Sequence, residues 1–236
     1  TAEHFEKLFA AENNLDKQDF DNFMGNSKTT IPKLNEKEKA VLEESITYEE
    51  VSTYVRKKLK NGKSPGSTGF TAEFYKVFWG HIGHHVTHAI SFCLDKGVLP
   101  TVQRQGIITL IPKPGRDRTT MKGYRPITLL NCWYKLCSGV LAERLKTTLP
   151  QLISSDQAGF IEGRYIGDVI RNTIDIIDHA RRNKIHGMIL QCDLESAFDR
   201  YGHHCIRYAL ESYNFGPRFR SWINVLLKDN YSNIIM

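Results

Sequence analysis

Apolar residues recur along the chain with two spacings, and each spacing predicts a different kind of element. Phe5, Leu8 and Phe9 fall on one face of a helix over residues 2–12, and the polar stretch 13–33 reads as a linker. Two helices follow, near 35–45 and 47–60. The second opens on Thr47-Tyr48-Glu49-Glu50, a capping box in which side chains satisfy two orphan amides. Lys57, Lys58 and Lys60 suit its negative C-terminal end, and Asn61-Gly62 stops it. The run Gly62-Lys63-Ser64-Pro65-Gly66-Ser67-Thr68-Gly69 is dense in turn residues and reads as a loop. Thr71 then opens a helix with Phe74, Phe78, Ile82, Val86 and Ile90 on one stripe, ending near Asp95-Lys96-Gly97. Residues 105–111 are short and β-branched, a strand signal, and Pro112 to Gly115 turn the chain toward a second strand at 124–129. A helix over 131–147 turns Leu136, Val140, Leu141 and Leu145 inward, and another spans 167–182. The apolar run 187–192 predicts a strand that delivers Asp193, and helices at 200–213 and 217–228 close the chain. Strands and helices mix without a regular βαβ beat, so the fold class is α+β.

The 236 residues fit one large domain or two small ones, long enough to bury a core without staples. Apolar residues make up 41% and charged residues 25%, which excludes a disordered tail. No apolar stretch approaches the ~20 residues that span a bilayer, and the N-terminus carries no secretory signal. The lack of a starting Met suggests a chain cut from something longer. The five cysteines (Cys93, Cys132, Cys137, Cys192 and Cys205) are odd in number and form no CxxC pair, so they read as reduced core thiols rather than disulfides or a zinc ribbon. Charge is unevenly distributed. Residues 51–146 hold 16 cations against 4 acids, a net +12 between an acidic leader and a balanced tail. Such a block is the electrostatic footprint of a phosphate-binding surface, against the plainer alternative of a solvated basic face.

Two places could carry chemistry. An apolar strand ending in a carboxylate at Asp193 fixes the angle of the acid, which could hold Mg²⁺ or cap the next helix. Glu195 is a possible second ligand or a solvated acid, and Asp199 is placed as a helix cap. Lys113 and Arg125 stand on adjacent predicted strands and could face one polyphosphate, Lys as a point charge and Arg as a bidentate clamp; the alternative is a solvated hairpin. Arg116, Arg118 and Lys122 lie at the hairpin tip. His81, His84, His85 and His88 make i, i+4 pairs but lack the HExxH glutamate, and read as a polar helix face. There is no GxSxG, Walker A or GxGxxG motif.

In order, the blocks are Gly62-Lys63-Ser64-Pro65-Gly66-Ser67-Thr68-Gly69-Phe70-Thr71-Ala72-Glu73-Phe74-Tyr75-Lys76, Leu110-Ile111-Pro112-Lys113-Pro114-Gly115, Tyr124-Arg125-Pro126-Ile127-Thr128-Leu129-Leu130-Asn131, Ser155-Asp156-Gln157-Ala158-Gly159-Phe160-Ile161-Glu162-Gly163-Arg164 and Asp193-Leu194-Glu195-Ser196-Ala197-Phe198-Asp199. This order, over about 46–230, resembles the reverse transcriptase of non-LTR, LINE-type retrotransposons. The resemblance implies a right-hand polymerase with three parts: a helical N-terminal extension over 1–60, fingers over 61–185 and the beginning of a palm over 186–236. It implies that Asp193 is the first catalytic aspartate and binds two Mg²⁺ ions, and that Phe198 gates the sugar of the incoming dNTP. Lys113 and Arg125 would grip the dNTP triphosphate. Gln157, Gly159, Phe160 and Arg164 would contact template RNA, and so would the block holding Gly62, Lys63, Gly66 and Gly69. The implied partners are template RNA, a DNA primer and dNTPs, with no membrane, and the implied location is intracellular, in a cytoplasmic ribonucleoprotein and the nucleus.

Three departures stand out. Thr68 occupies a position that is usually Asp, Ser196 one that is usually Lys, and Tyr201 one that is usually apolar. The second carboxylate block of the palm does not occur before Met236, so the chain alone is expected not to polymerise. The competing reading is a non-catalytic RNA- or DNA-binding remnant of a decayed or domesticated element.

Overall fold

The structure is a computed structural model that describes residues 3, 6, 16–25, 31–194, 197 and 201–235. It joins a helical body to a three-stranded sheet. The helix expected over 2–12 lies outside the described residues, save positions 3 and 6, which are helical. The stretch 13–33 is not all linker: α1 (Lys17–Gly25) occupies its middle and buries Phe20. Phe20 meets the Tyr208 ring at 5.6 Å, a contact almost 190 residues away that no local pattern reveals.

Helix α2 (Glu36–Leu42) is closed by an Asn35/Glu38 capping box, and α3 (Tyr48–Thr53) by the expected Thr47/Glu50 box. Helix α3 runs on into a π-helical turn, Tyr54–Lys58, where Leu59 N–H reaches Tyr54 C=O at 2.9 Å. Helix α4 (Ala72–Lys96) starts at the Thr71 N-cap and stops at Gly97, whose φ of 74° is the left-handed C-cap that glycine adopts without a Cβ penalty. Its buried stripe is Tyr75, Trp79, Gly83, Thr87, Ile90 and Leu94. The expected stripe is therefore rotated about one residue from the true one: Ile90 is buried, while Phe78 is 46% exposed. Trp79 is 2% exposed and takes the core position, where its ring stacks on Tyr48 at 6.0 Å. The four histidines of α4 are all exposed, as a polar face requires.

Strand β1 (Gln105–Pro112) pairs antiparallel with β2 (Tyr124–Leu130), with Ile111 opposite Arg125. A third strand, β3 (Tyr231–Ile235), lies parallel to β1 on its other side, giving the order β2-β1-β3. The sequence reading contained no β3, because its partner is 126 positions away and a five-residue run has little pattern of its own. The Arg104 guanidinium donates to the Asp229 carbonyl at 2.9 Å and pins the turn before β3 to the start of β1.

Helix α5 (Cys132–Leu152) runs from the end of β2 through the middle of the core and buries Leu136, Cys137, Val140 and Leu141. Helix α6 (Ile166–Arg182) follows, then α7 (His203–Ser212) and α8 (Pro217–Leu227). Trp222 of α8 is 1% exposed and ties the body together. Its indole N–H donates to Asp95 Oδ1 at 3.1 Å, with the Arg218 and Arg144 guanidiniums over its ring at 4.9 and 5.6 Å. The Glu43 carboxylate accepts the first N–H groups of α8, from Arg218 and Phe219, a charge placed at the positive end of the helix.

One expected element is absent. Residues 185–194 form neither strand nor helix and are exposed throughout, with Met188 at 91% and Leu190 at 81%. A strand needs a partner for its ladder, and no described strand lies beside this run; an apolar sequence alone cannot supply one. Asp193 is accordingly not at the end of a strand. The cysteines are all free, but only Cys132 and Cys137 are buried; Cys192 is exposed on the same segment, so it is not a core thiol.

Candidate nucleic-acid and nucleotide site

The hairpin places two of its cations, Lys113 and Arg125, on one face. In an antiparallel pair, side chains directly opposite share a face and alternate along each strand. Arg125 is opposite Ile111, and the ladder continues past the strand ends through Lys113 N–H to Gly123 C=O at 2.8 Å. Lys113, two residues beyond Ile111, therefore stands on the face of Arg125 as its diagonal neighbour, about 7–8 Å away. This face is the wet one: Ile111 is 49% and Ile127 41% exposed, whereas Ile108 on the opposite face is 4% exposed. The Arg125 side chain is exposed and makes no hydrogen bond or ion pair among the described residues. The Lys113 ammonium donates to the Lys122 carbonyl at 2.9 Å. A hydrogen bond to one neutral carbonyl leaves two ammonium protons for an anion.

The Gly62–Gly69 loop is fixed at both ends. Gly62 N–H donates to Glu73 Oε1 at 2.6 Å, which holds the Glu73 carboxyl below its ordinary range, and Lys76 Nζ donates to Asn61 Oδ1 at 2.7 Å. Gly62 and Gly69 have φ of 67° and 76°. Gly66 packs so closely on the end of β2 that a Cβ there would lie 2.4 Å from Asn131 N. Lys63 is exposed on the loop.

The 154–164 segment is a loop at the far end of α5. Arg164 organises it: its guanidinium donates to the carbonyls of Pro150 at 2.9 Å, Ile153 at 2.8 Å and Gln157 at 2.7 Å, and to that of Ser154. Two of these acceptors are orphan carbonyls of the last turn of α5, so the arginine acts as a C-terminal cap. Gln157 Nε2 donates to Gly159 C=O at 3.3 Å, and Phe160 follows at φ 64° with 88% of its surface exposed.

Asp193 is exposed on the 185–194 segment and has no partner among the described residues. Phe198 lies outside the described residues, with Glu195 and Asp199. Among the described residues no group of three or more His, Cys, Asp or Glu side chains is placed to hold a metal ion. The fold thus brings Lys113 and Arg125 together and joins the glycine loop to the strand bearing Arg125. It sets the 154–164 loop at the opposite end of 21-residue α5, about 30 Å away at 1.5 Å per residue. No described helix is long and apolar enough to cross a membrane.

Residues 111–235 match the profile of the family described as reverse transcriptase (RNA-dependent DNA polymerase). The chain is 34% identical, over 83% of its length, to the transposon TX1 uncharacterized 149 kDa protein of Xenopus laevis, of which it covers 15%. It is 28% identical, over 64% of its length, to the putative 115 kDa protein in type-1 retrotransposable element R1DM of Drosophila melanogaster, covering 14% of that protein. To the RNA-directed DNA polymerase from mobile element jockey of the same fly it is 25% identical over 70% of its length, covering 18%. The chain spans less than a fifth of each of these relatives.

Proposed function

The chain belongs to the reverse transcriptase family, in the branch carried by non-LTR retrotransposons, and from that premise we propose that it is the template- and nucleotide-gripping part of an RNA-directed DNA polymerase. Residues 61–185 act as the fingers, 186–236 as the start of the palm and 1–60 as a helical extension braced against both. The observation that supports this most is the pairing of Lys113 and Arg125 on one wet face of the β1–β2 hairpin. Two cations at diagonal positions match a triphosphate, the arginine by two parallel N–H···O bonds and the lysine as a point charge. The glycine loop and the 154–164 loop bind the template backbone. In the second loop Gln157, Gly159 and Phe160 face the RNA, and Arg164 holds the loop in shape rather than reaching a phosphate.

Asp193 is proposed as the carboxylate this chain contributes to a divalent-metal site, where Mg²⁺ would neutralise phosphate charge. What is proposed for the described residues is the grip on template and nucleotide, with Asp193 as the ligand they supply.

The test is a titration of the 236-residue chain with single-stranded RNA at several salt concentrations. The affinity should fall linearly on a log–log plot, by about 0.7 per phosphate neutralised. Affinity independent of salt would overturn the reading.

A further inference from the structure

The glycine loop and the hairpin are joined by one side chain that the proposed binding surfaces do not use. Asn131 is 0% exposed and stands directly after β2. Its Oδ1 accepts the Thr68 N–H at 3.0 Å and the Thr68 hydroxyl at 3.0 Å. Its Nδ2 donates to the Val102 carbonyl at 2.7 Å and to Ser67 Oγ at 3.2 Å. Both ends of the amide are therefore engaged, and only one orientation satisfies them. The flipped amide would set NH₂ against the Thr68 N–H and oxygen against the Val102 carbonyl, two repulsive contacts in a dry place. Gly66 makes the approach possible, because any side chain there would collide with the Asn131 backbone. A loop of small and polar residues, which would otherwise sample many conformations, is so held in one.

We propose that Asn131 is a positioning residue that locks the Gly62–Gly69 loop and β2 into one body, so that a template strand held by the loop and a triphosphate held at Arg125 keep a fixed spacing. Six residues of extended strand separate Asn131 from Arg125, about 20 Å at 3.4 Å per residue. Template and nucleotide then meet a single rigid platform rather than two independent loops. This rests on the reading of the loop and hairpin given under the proposed function.

Three variants of the 236-residue chain test it, read by amide hydrogen exchange with and without single-stranded RNA. Asn131→Ala leaves the Thr68 N–H and the Val102 carbonyl without their partner, and exchange at the Thr68 and Gly69 amides should quicken about ten- to a hundredfold. RNA affinity should fall several-fold with it. Asn131→Asp keeps an acceptor for Thr68 but sets a carboxylate oxygen against the Val102 carbonyl, so exchange and RNA affinity should stay impaired, no better than midway between the alanine variant and the wild type. Thr68→Val, which removes one hydroxyl at a half-exposed position and so keeps the fold, should quicken local exchange a few-fold. The proposal is overturned if the alanine variant leaves Thr68 exchange unchanged. Uniform quickening across α4 and α5 would also overturn it, as would local quickening without loss of RNA affinity. If the unmutated chain binds no RNA, the template reading fails by itself, and the exchange measurements without RNA still decide whether Asn131 fastens the loop.

Discussion

Replacing Arg164 by alanine separates a residue that shapes the loop proposed to face RNA from one that touches RNA. The guanidinium donates to four carbonyls, those of Pro150, Ile153, Ser154 and Gln157, and so holds the end of α5 and the start of the following loop together. A hydrogen bond to a charged group is worth about 1.5–3 kcal/mol when water is excluded, and less here because the side chain is half-exposed and water can replace much of it. The set of four together contributes about 2–3 kcal/mol. In a protein of this size 1 kcal/mol moves the melting midpoint by about 2–4 °C, so the variant should melt about 5–10 °C lower. Lysine offers a single compact ammonium in place of the planar fork and should recover less than half of the loss. The assay is a thermal melt of the wild-type chain, Arg164→Ala and Arg164→Lys, paired with RNA titrations at several salt concentrations. RNA affinity should drop modestly with an unchanged salt slope, since no phosphate contact is lost. A normal melt combined with a slope shallower by about 0.7 would refute the reasoning and make Arg164 a phosphate ligand.

The other predictions concern the body that carries the site. Arg144→Met should cost about 3 kcal/mol in denaturant unfolding, because it strands the Glu50 carboxylate and the carbonyls of Leu42, Glu44 and Ser45, which the guanidinium now pairs. Acid should destabilise the chain. Burial raises the Glu50 carboxyl, but hydrogen bonds from Arg144 and the Thr47 amide outweigh it; the Arg218 hydrogen bond likewise lowers Asp95. Both folded carboxyls are depressed, so the stabilisation is complete at neutral pH and should fade in urea titrations as pH drops below about 4.5. A thiol reagent should modify exposed Cys192 first and reach Cys137, whose thiol burial pushes well up, only on unfolding, as peptide mapping over time would show.

What the sequence made legible was local. Thr47 with Glu50, Thr71 and Gly97 mark helix ends through contacts within a turn, and the structure places those ends as the residues indicate. The β1–β2 hairpin was legible for the same reason, being two adjacent apolar runs around Pro112 to Gly115. Failures came where the deciding partner is remote. The run 187–192 has the composition of a strand, but a strand forms only against another, and none of the described strands meets it. Strand β3 was invisible because β1, far earlier in the chain, makes it a strand. The rotation of α4 was set by Trp79 stacking on Tyr48 at 6.0 Å, a contact between two helices. At the site, the charge count and the family-like blocks singled out Lys113 and Arg125, and register puts them on one face. Neither Asn131 nor the structural work of Arg164 could be read in advance, since an amide or a guanidinium in a loop motif does not declare which carbonyls it will find.

The most direct test of the account is steady-state primer extension on an RNA template by a polymerase that contains these 236 residues, comparing wild type with Arg125→Ala. Loss of a bidentate charge-assisted contact to the triphosphate, worth about 1.5–3 kcal/mol, should raise the KM for dNTP by about ten- to a hundredfold while leaving template RNA affinity within twofold. An unchanged KM for dNTP, with RNA affinity reduced instead, would contradict the assignment of the hairpin face to the nucleotide.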